Sequence, residues 1–403
     1  MRQRVILHCD LNSFFASVEL LSYPALQEVP VAVCGDPNAR HGIILAKNEP
    51  AKRLGVKTAE TIWEAKKKAP NLILLPPHHG LYREYSQKIN EIYGQYTDLV
   101  EPFGIDESWL DITGSMHLFG GDGKKIADGI RQRVREELGL TLSVGVSFNK
   151  VFAKLGSDYK KPDATTVISP ENWQQLVWPL PVEDLLYVGR SAARVLRQHG
   201  IGTIGQLAAS PREVPELLMG KLGGQLHDYA NGLDRDPVKP QDYHEPVKSV
   251  GNGTTFPRNL TRWEEVRDGL GVLCDSVAMR LRRQGLYCGG VAVTLRGADF
   301  KQSARQRRLR EPTHLMRDIC EAAQELARDL WHAPEPIRAI TVTALYITEA
   351  SQGYRQIDLL DPAAQEKNER QEKLESAMDA IRSKYGKGAI TFGKTGKFGG
   401  WDD

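Results

Sequence analysis

The sequence predicts an α+β chain of several domains, and three features of it point that way. Strand-like and helix-like stretches alternate through residues 1–168, which calls for layered sheet and helix. The character then changes, because 169–236 reads as almost all helix and turn. Strands return over 248–360. With 403 residues and 41% hydrophobic content, the chain has apolar surface for full cores and length for about two to four domains.

The elements follow in order. Residues 4–9 read as a buried strand, and Phe14 to Leu21 as the helix after it. A second short strand, 31–34, is stopped by Gly35-Asp36-Pro37, and 43–46 is a third. Pro50 to Leu54 fits a short helix closed by Gly55. Ile62 to Ala69 reads as a basic helix stopped by Pro70, and 72–75 as a strand ending at Pro76-Pro77. Tyr82 to Tyr96 has the apolar spacing of a long helix. Then come strands 99–103 and 108–112, helix 124–138, strand 141–146 and helix 149–155. Further on, Ser169-Pro170-Glu171 and Ser210-Pro211-Arg212 look like helix starts, a capping serine followed by proline. The polar, proline-containing stretch from Asp234 to Pro246 reads as a linker. Helices near 263–284 and 313–331 punctuate the last strands. Residues 362–385 read as an exposed helix, and the Gly- and Lys-rich 386–403 as disordered.

Two acidic strings stand next to apolar, strand-like runs. Val5-Ile6-Leu7 precedes Asp10, and Val100, Phe103 and Ile105 surround Asp106 and Glu107. Buried carboxylates are costly without a partner, and three together repel one another. A hard divalent cation such as Mg²⁺ removes both problems. Asp10, Asp106 and Glu107 are therefore candidate metal ligands; a solvated turn is the other reading of an Ile-Asp-Glu string, and spacing does not choose between them.

Charge is balanced overall, 53 basic against 51 acidic residues. Locally it is not: residues 280–310 carry nine Lys/Arg against the single acid Asp299. Alternating basic side chains on one sheet face, among them Arg296, Lys301, Arg305, Arg307 and Arg308, would make a track for a phosphate backbone. A second signal runs from Val182 to Gly200: helix, a turn at Gly189, and a second helix. Backbone amides at that second start, with Arg190, can hold a phosphate without reading a base. Tyr187 occupies the first glycine place of the usual double-glycine hairpin. The five cysteines include no Cys-x-x-Cys pair, and no apolar stretch has the length of a membrane span, so a cytoplasmic location is expected.

Together these pieces resemble the Y-family DNA polymerases, the translesion class, and within it the DinB or polymerase IV branch. Asp10-Leu-Asn-Ser-Phe-Phe-Ala-Ser-Val-Glu19 resembles the first catalytic segment, and Gly104-Ile-Asp-Glu-Ser-Trp-Leu-Asp111 the second. Ser143 to Asp158, followed by Lys161-Pro162, resembles the segment that closes the palm. The resemblance implies a ferredoxin-like palm (1–20 and 78–168), small fingers (21–77), a helical thumb with a helix-hairpin-helix (169–236), a linker (237–247), an α/β little finger (248–361) and a polar tail (362–403). It also implies a template-directed, low-fidelity polymerase without proofreading, acting on primer-template DNA and dNTPs as a monomer.

The family resemblance assigns residues as well. Asp10, Asp106 and Glu107 would hold two Mg²⁺ ions, with the Leu11 carbonyl as an extra ligand. Phe15 would be the steric gate against a 2′-hydroxyl, beside the packed Phe14. Backbone amides around Ser13, Phe14 and Phe15, together with Lys161, would face the triphosphate. One string departs from the family: Asn48-Glu49-Pro50-Ala51-Lys52 stands where Asn-Tyr-x-Ala-Arg is common, so only Lys52 is carried over, as a point charge. Gln356-Ile357-Asp358-Leu359-Leu360 resembles the glutamine-led peptide with which bacterial polymerases bind a sliding clamp, with Gln356, Leu359 and Leu360 as contacts and a final Leu where Phe is frequent. Two rivals exist. A nucleotidyl cyclase shares a palm-like sheet and two metals, but Phe119-Gly-Gly-Asp122 lies in a Gly-rich turn; a non-catalytic scaffold would not need all three carboxylates.

Overall fold

The computed structural model describes residues 3–37, 40, 42–349 and 362–391. The chain forms two compact units, Met1–His244 and Glu245–Asp403.

In the first unit the order is β1 (Ile6–Leu11), α1 (Phe14–Leu20), β2 (Val31–Cys34), β3 (Ile44–Lys47), α2 (Glu49–Arg53), α3 (Ile62–Lys68), β4 (Ile73–Leu75), α4 (His79–Gly94), β5 (Val100–Pro102), β6 (Glu107–Asp111), α5 (Gly123–Leu138), β7 (Leu142–Ser147), α6 (Lys150–Tyr159) and β8 (Thr165–Ile168). A five-stranded sheet runs β5-β6-β1-β7-β8, with β1 central and antiparallel to both neighbours. Side-chain alternation sorts its faces. Leu7, Cys9 and Leu11 join Leu110, Val144 and Val146 in a core closed by Tyr82, Ile89, Ile92 and Tyr93 of α4 and Ile126, Ile130 and Val134 of α5. The opposite face carries Ile6, His8 and Asp10, and α6 lies over it.

That helix comes unusually close. A Cβ built on Gly145 would sit 1.9 Å from the Ala153 carbonyl oxygen, so only glycine lets α6 rest on β7. Residues 31–75 carry a separate three-stranded sheet, β3-β2-β4, with its own core of Ala32, Cys34, Ile44, Ala51, Val56 and Ala65. Thr61 and Glu64 close a capping box at the start of α3.

Five short helices follow: α7 (Trp173–Val177), α8 (Arg190–Gln198), α9 (Ile204–Ala209), α10 (Glu213–Met219) and α11 (Lys221–Ala230). Their core takes in Val151, Phe152 and Leu155 from the outer side of α6. The first arm of the expected hairpin is a single 3₁₀ turn, Val182–Asp184, rather than a helix. Tyr187 adopts the left-handed conformation (φ 68°) that a glycine would take there more easily.

The expected linker is not free at its start. Val238 is buried with Ile6, Trp109 and Ala153. The Lys239 amide donates to Glu101 Oε2 at 3.0 Å, and the Gln241 amide to the Asp98 carbonyl at 3.0 Å. One valine among polar residues and prolines is enough to strap this stretch to the sheet, a signal that composition hides.

The second unit contains β9 (Ser249–Leu260), α12 (Trp263–Arg283), β10 (Leu286–Gly297), β11 (Gln302–Thr313), α13 (Met316–Leu330), β12 (Ile337–Glu349) and α14 (Pro362–Tyr385). Its four-stranded antiparallel sheet runs β11-β10-β12-β9, with α12 and α13 packed on one face through Val291, Val293, Leu273, Val277, Ile319 and Leu326. The polar helix expected to be exposed instead docks. Arg282 pairs with Glu375 and, at 2.7 Å, with Asp379. Arg382 forks onto Asp275 at 3.0 and 2.8 Å, and Met378 is buried. Ion pairs between nearly buried groups do here what an apolar stripe usually does, so hydropathy gave no sign of it.

Glu265 provides a pH-sensitive anchor at the start of α12. It accepts from the Thr261 and Arg262 amides at 3.0 and 3.3 Å and pairs with Arg258 at 2.7 Å. The Arg258 bond, against the cost of burial and with help from those amides, brings its pKa down from 4.5 to about 2. A depressed carboxylate contributes stability that is complete above its unfolded pKa and is lost as pH falls through the folded one. Glu265→Gln should therefore destabilise this unit at neutral pH, with the difference from wild type closing as pH drops from about 4.5 towards 2. Denaturant melts across that range check it; a gap that stays constant would refute the anchor.

Candidate active site

The end of β1 meets the start of β6, and the antiparallel register sets Asp10 opposite Glu107. Asp106 lies in the turn just before, where its carbonyl accepts the Leu11 amide at 3.0 Å. Strand pairing thus brings Asp10 to an adjacent pair of acids nearly a hundred residues further along the chain. Asp10 is buried, and Glu107 is half-buried. Burial, and then the charge of Asp10, push the Asp106 carboxyl above its ordinary value. Glu107 is also raised, by burial first, with Lys154 pulling the other way. Crowded, partly desolvated carboxylates of this kind suit a hard cation with oxygen ligands.

Two lysines already answer that charge. Lys154, on the face of α6 turned to the sheet, donates to Asp10 Oδ2 at 3.0 Å and Glu107 Oε2 at 2.7 Å, and lies 3.3 Å from Asp158. Lys161 reaches Asp10 Oδ2 at 2.8 Å and Asp158 Oδ1 at 2.7 Å. Burial opposes the charge on both, yet Asp10 and the other acids outweigh it and hold their pKa values above the ordinary lysine range. His8 lies beneath, fully buried, and burial followed by the two lysines keeps its ring neutral. Sequence reading did not single out His8, Lys154 or Asp158. The signals were present: His8 shares the strand face of Asp10 two residues on, and Lys154 and Asp158 are one helical turn apart.

Around this cluster, Phe14 packs into the core while Phe15 is half-buried and stacked on Tyr82, with ring centroids 4.0 Å apart and planes at 11°. Ser13 is the cap of α1 in a left-handed conformation (φ 51°), and its side chain makes no capping bond. Lys52 is half-exposed on α2 and pairs with Glu49 at 3.3 Å.

The phosphate-contact candidates divide. Gly189 caps α8 and Arg190 opens it, exposed. The basic stripe does not lie on one sheet face. Arg305 and Arg307 stand opposite the core residues Val293 and Val291 and turn to the helix layer, where they pair with Asp329 (2.9 Å) and Glu325 of α13. Arg308 alternates to the other face, over the Tyr346 ring at 4.2 Å. Arg296, next to the end of β10, stands opposite Gln302, and Lys301 lies in the turn before β11, paired with Asp299 at 3.3 Å. Counting charge along a sequence ignores this period of two, which is why the stripe looked continuous. The sliding-clamp peptide, Gln356, Leu359 and Leu360 included, falls outside the described residues. Among those described, no helix is long and apolar enough to cross a membrane.

Comparison with known proteins reads the same segments. Residues 9–158 match the impB/mucB/samB family, and residues 247–359 match that family's C-terminal domain. The DNA polymerase IV of Acetivibrio thermocellus is 46% identical over 384 residues, 95% of either chain. DNA polymerase IV of Moorella thermoacetica is 39% identical, covering 96% of this chain and 94% of the relative, and DNA polymerase IV 1 of Bacillus subtilis is 36% identical, covering 98% and 94%. A solved Y-family DNA polymerase chimera, Dbh-Dpo4(243-245)-Dbh, shares the fold with a TM-score of 0.76 at 24% identity, over 86% of this chain and 99% of that one. Matched in both of its family segments and along nearly its whole length, this chain belongs to the impB/mucB/samB family, the Y-family DNA polymerases, in their polymerase IV branch.

Proposed function

We propose that Asp10, Asp106 and Glu107 form the catalytic centre of a template-directed DNA polymerase of the translesion class, holding two Mg²⁺ ions between a primer end and a dNTP. The observation that carries this reading is the meeting of Asp10 with Asp106 and Glu107 at adjacent strand ends, with the Asp106 and Glu107 carboxyls raised and two lysines drawn onto Asp10 and Glu107. In this reading Asp10, Asp106 and Glu107 would hold the two ions, with the Leu11 carbonyl as an extra ligand. When bound, such a pair activates the primer 3′-hydroxyl and neutralises charge on the triphosphate and leaving pyrophosphate. Lys161, the amides of Ser13, Phe14 and Phe15, and Lys52 receive the triphosphate. A nucleotide phosphate would take over the charge of Lys161 that Asp10 and Asp158 now share.

The domain assignment follows the same reading: palm 1–20 and 78–168, fingers 21–77, thumb 169–236, little finger 248–361 and a C-terminal segment from 362. Gly189 and Arg190 hold a phosphate of duplex DNA. Arg296, Lys301 and Arg308 follow the backbone, and Arg305 and Arg307 do so only by leaving their α13 partners. A short, open fingers segment checks base-pair shape loosely, in keeping with low fidelity and no proofreading. Gln356, Leu359 and Leu360 dock a sliding clamp, and the protein works as a cytoplasmic monomer.

Primer extension with purified protein, dNTPs and Mg²⁺ tests the reading. Templated elongation is expected; a cyclic nucleotide product or no elongation would overturn it. Phe15 gives a sharper check. Its ring, braced on Tyr82, is offered as the surface that excludes a 2′-hydroxyl. Phe15→Ala should raise ribonucleotide insertion relative to deoxynucleotide roughly 10- to 200-fold, the range that one steric contact commands. Unchanged discrimination in single-turnover insertion would remove Phe15 from that role.

A further inference from the structure

His8 sits directly beneath the carboxylates and is solvent-inaccessible. Its ring is fixed from two sides: Trp109 meets it edge-on with centroids 5.3 Å apart, and Nδ1 lies 2.8 Å from Ser157 Oγ. The Ser157 hydroxyl donates its only proton to the Lys154 carbonyl at 2.7 Å. Nδ1–H therefore donates to Oγ, and on the neutral ring Nε2 is left with a lone pair. Nε2 has no hydrogen-bond partner. It faces Glu107 Oε2 at 3.5 Å, one acceptor against another. A ring nitrogen of His8, an Asp10 oxygen and a Glu107 oxygen all lie within 4.8 Å of one another. Opposed buried acceptors are unfavourable by themselves and favourable around a cation. Lys154 spans the two carboxylates, and Asp158, 3.3 Å from its ammonium, offers it another partner when a metal takes those oxygens.

We propose that His8 Nε2 is a metal donor beside Asp10 and Glu107, giving the cleft a mixed nitrogen–oxygen site that favours first-row transition ions such as Mn²⁺ and Co²⁺ over Mg²⁺. The inference rests on the carboxylates being metal ligands, as proposed above. Mg²⁺ prefers an all-oxygen shell of near-ideal octahedral geometry, whereas an imidazole nitrogen raises affinity along the transition series. The Nδ1–H to Ser157 bond fixes the ring's tautomer, as outer partners of ligating histidines do.

The test uses the full chain loaded with Mn²⁺ alone and read by pulsed EPR. Hyperfine coupling to one directly bound ¹⁴N is expected, and it should change to the ¹⁵N pattern in protein grown on ¹⁵N-histidine. His8→Phe, which keeps an aromatic ring against Trp109, should abolish the coupling and weaken Mn²⁺ binding on the order of tenfold, with Mg²⁺ affinity little changed. If that variant does not fold, the isotope exchange in the wild-type chain still decides. Mn²⁺ that binds the wild type without nitrogen coupling overturns the His8 assignment and leaves the carboxylate reading standing. Mn²⁺ that fails to bind, or binds Asp10→Asn as tightly as wild type, overturns the carboxylate reading and His8 with it.

Discussion

Asp10→Asn should abolish primer extension while the chain stays folded. The substitution keeps shape and removes one charge at the point where β1, β6 and both lysines meet. If a metal's stabilisation of developing charge is worth several kcal/mol there, the loss is about a thousandfold or more in rate, since each 1.4 kcal/mol is a factor of ten. Asp106→Asn should do the same, and both should weaken binding of Mn²⁺ to the protein. Single-turnover extension with thermal melting as a folding control measures this. Full activity in either variant would sink the assignment. A fall in activity that merely tracks a fall in melting temperature would sink it too, because it would reduce the acids to structural counter-ions of Lys154 and Lys161.

Gly145→Ala should be among the most damaging single-methyl changes in the first unit. The new Cβ would lie 1.9 Å from the Ala153 carbonyl oxygen and 2.5 Å from the Ser157 amide nitrogen, both backbone atoms that cannot rotate away. Either α6 lifts or β7 bends, and overpacking of this kind costs about 3 kcal/mol. The helix carries Lys154 and Ser157 over the cluster, so activity should fall with stability. Gly129→Ala, in mid-α5 with nothing within 4 Å of its Cβ, is the control and should stabilise slightly, by roughly 0.5–1 kcal/mol. Denaturant melts of the two variants decide the matter; equal stabilities would show that α6 does not rest on that glycine.

Much of this protein is legible in its sequence. The alternation of strands and helices through 1–168, the helical stretch after it and the return of strands are local signals, written in apolar period and turn residues. Acidic strings against apolar runs marked Asp10, Asp106 and Glu107 as candidates, and the motifs in their order carried the family. The sequence could not choose a metal site over a solvated turn, because that depends on β1 pairing with β6 in one register, a contact across nearly a hundred residues.

The rest was decided by tertiary structure alone. Lys154 became part of the site only because Gly145 lets a helix lie on the strand that flanks β1. The basic stripe split because neighbouring residues of β11 face opposite sides, one side towards the acids of α13. Helix α14 docked through arginine–carboxylate pairs that hydropathy scores as solvent-seeking. Residue type and spacing fix what the backbone does within a few residues. Which charges end up sharing low-dielectric space is settled by non-local packing, and there the energy of an ionic group depends on its neighbours far more than on its own chemistry.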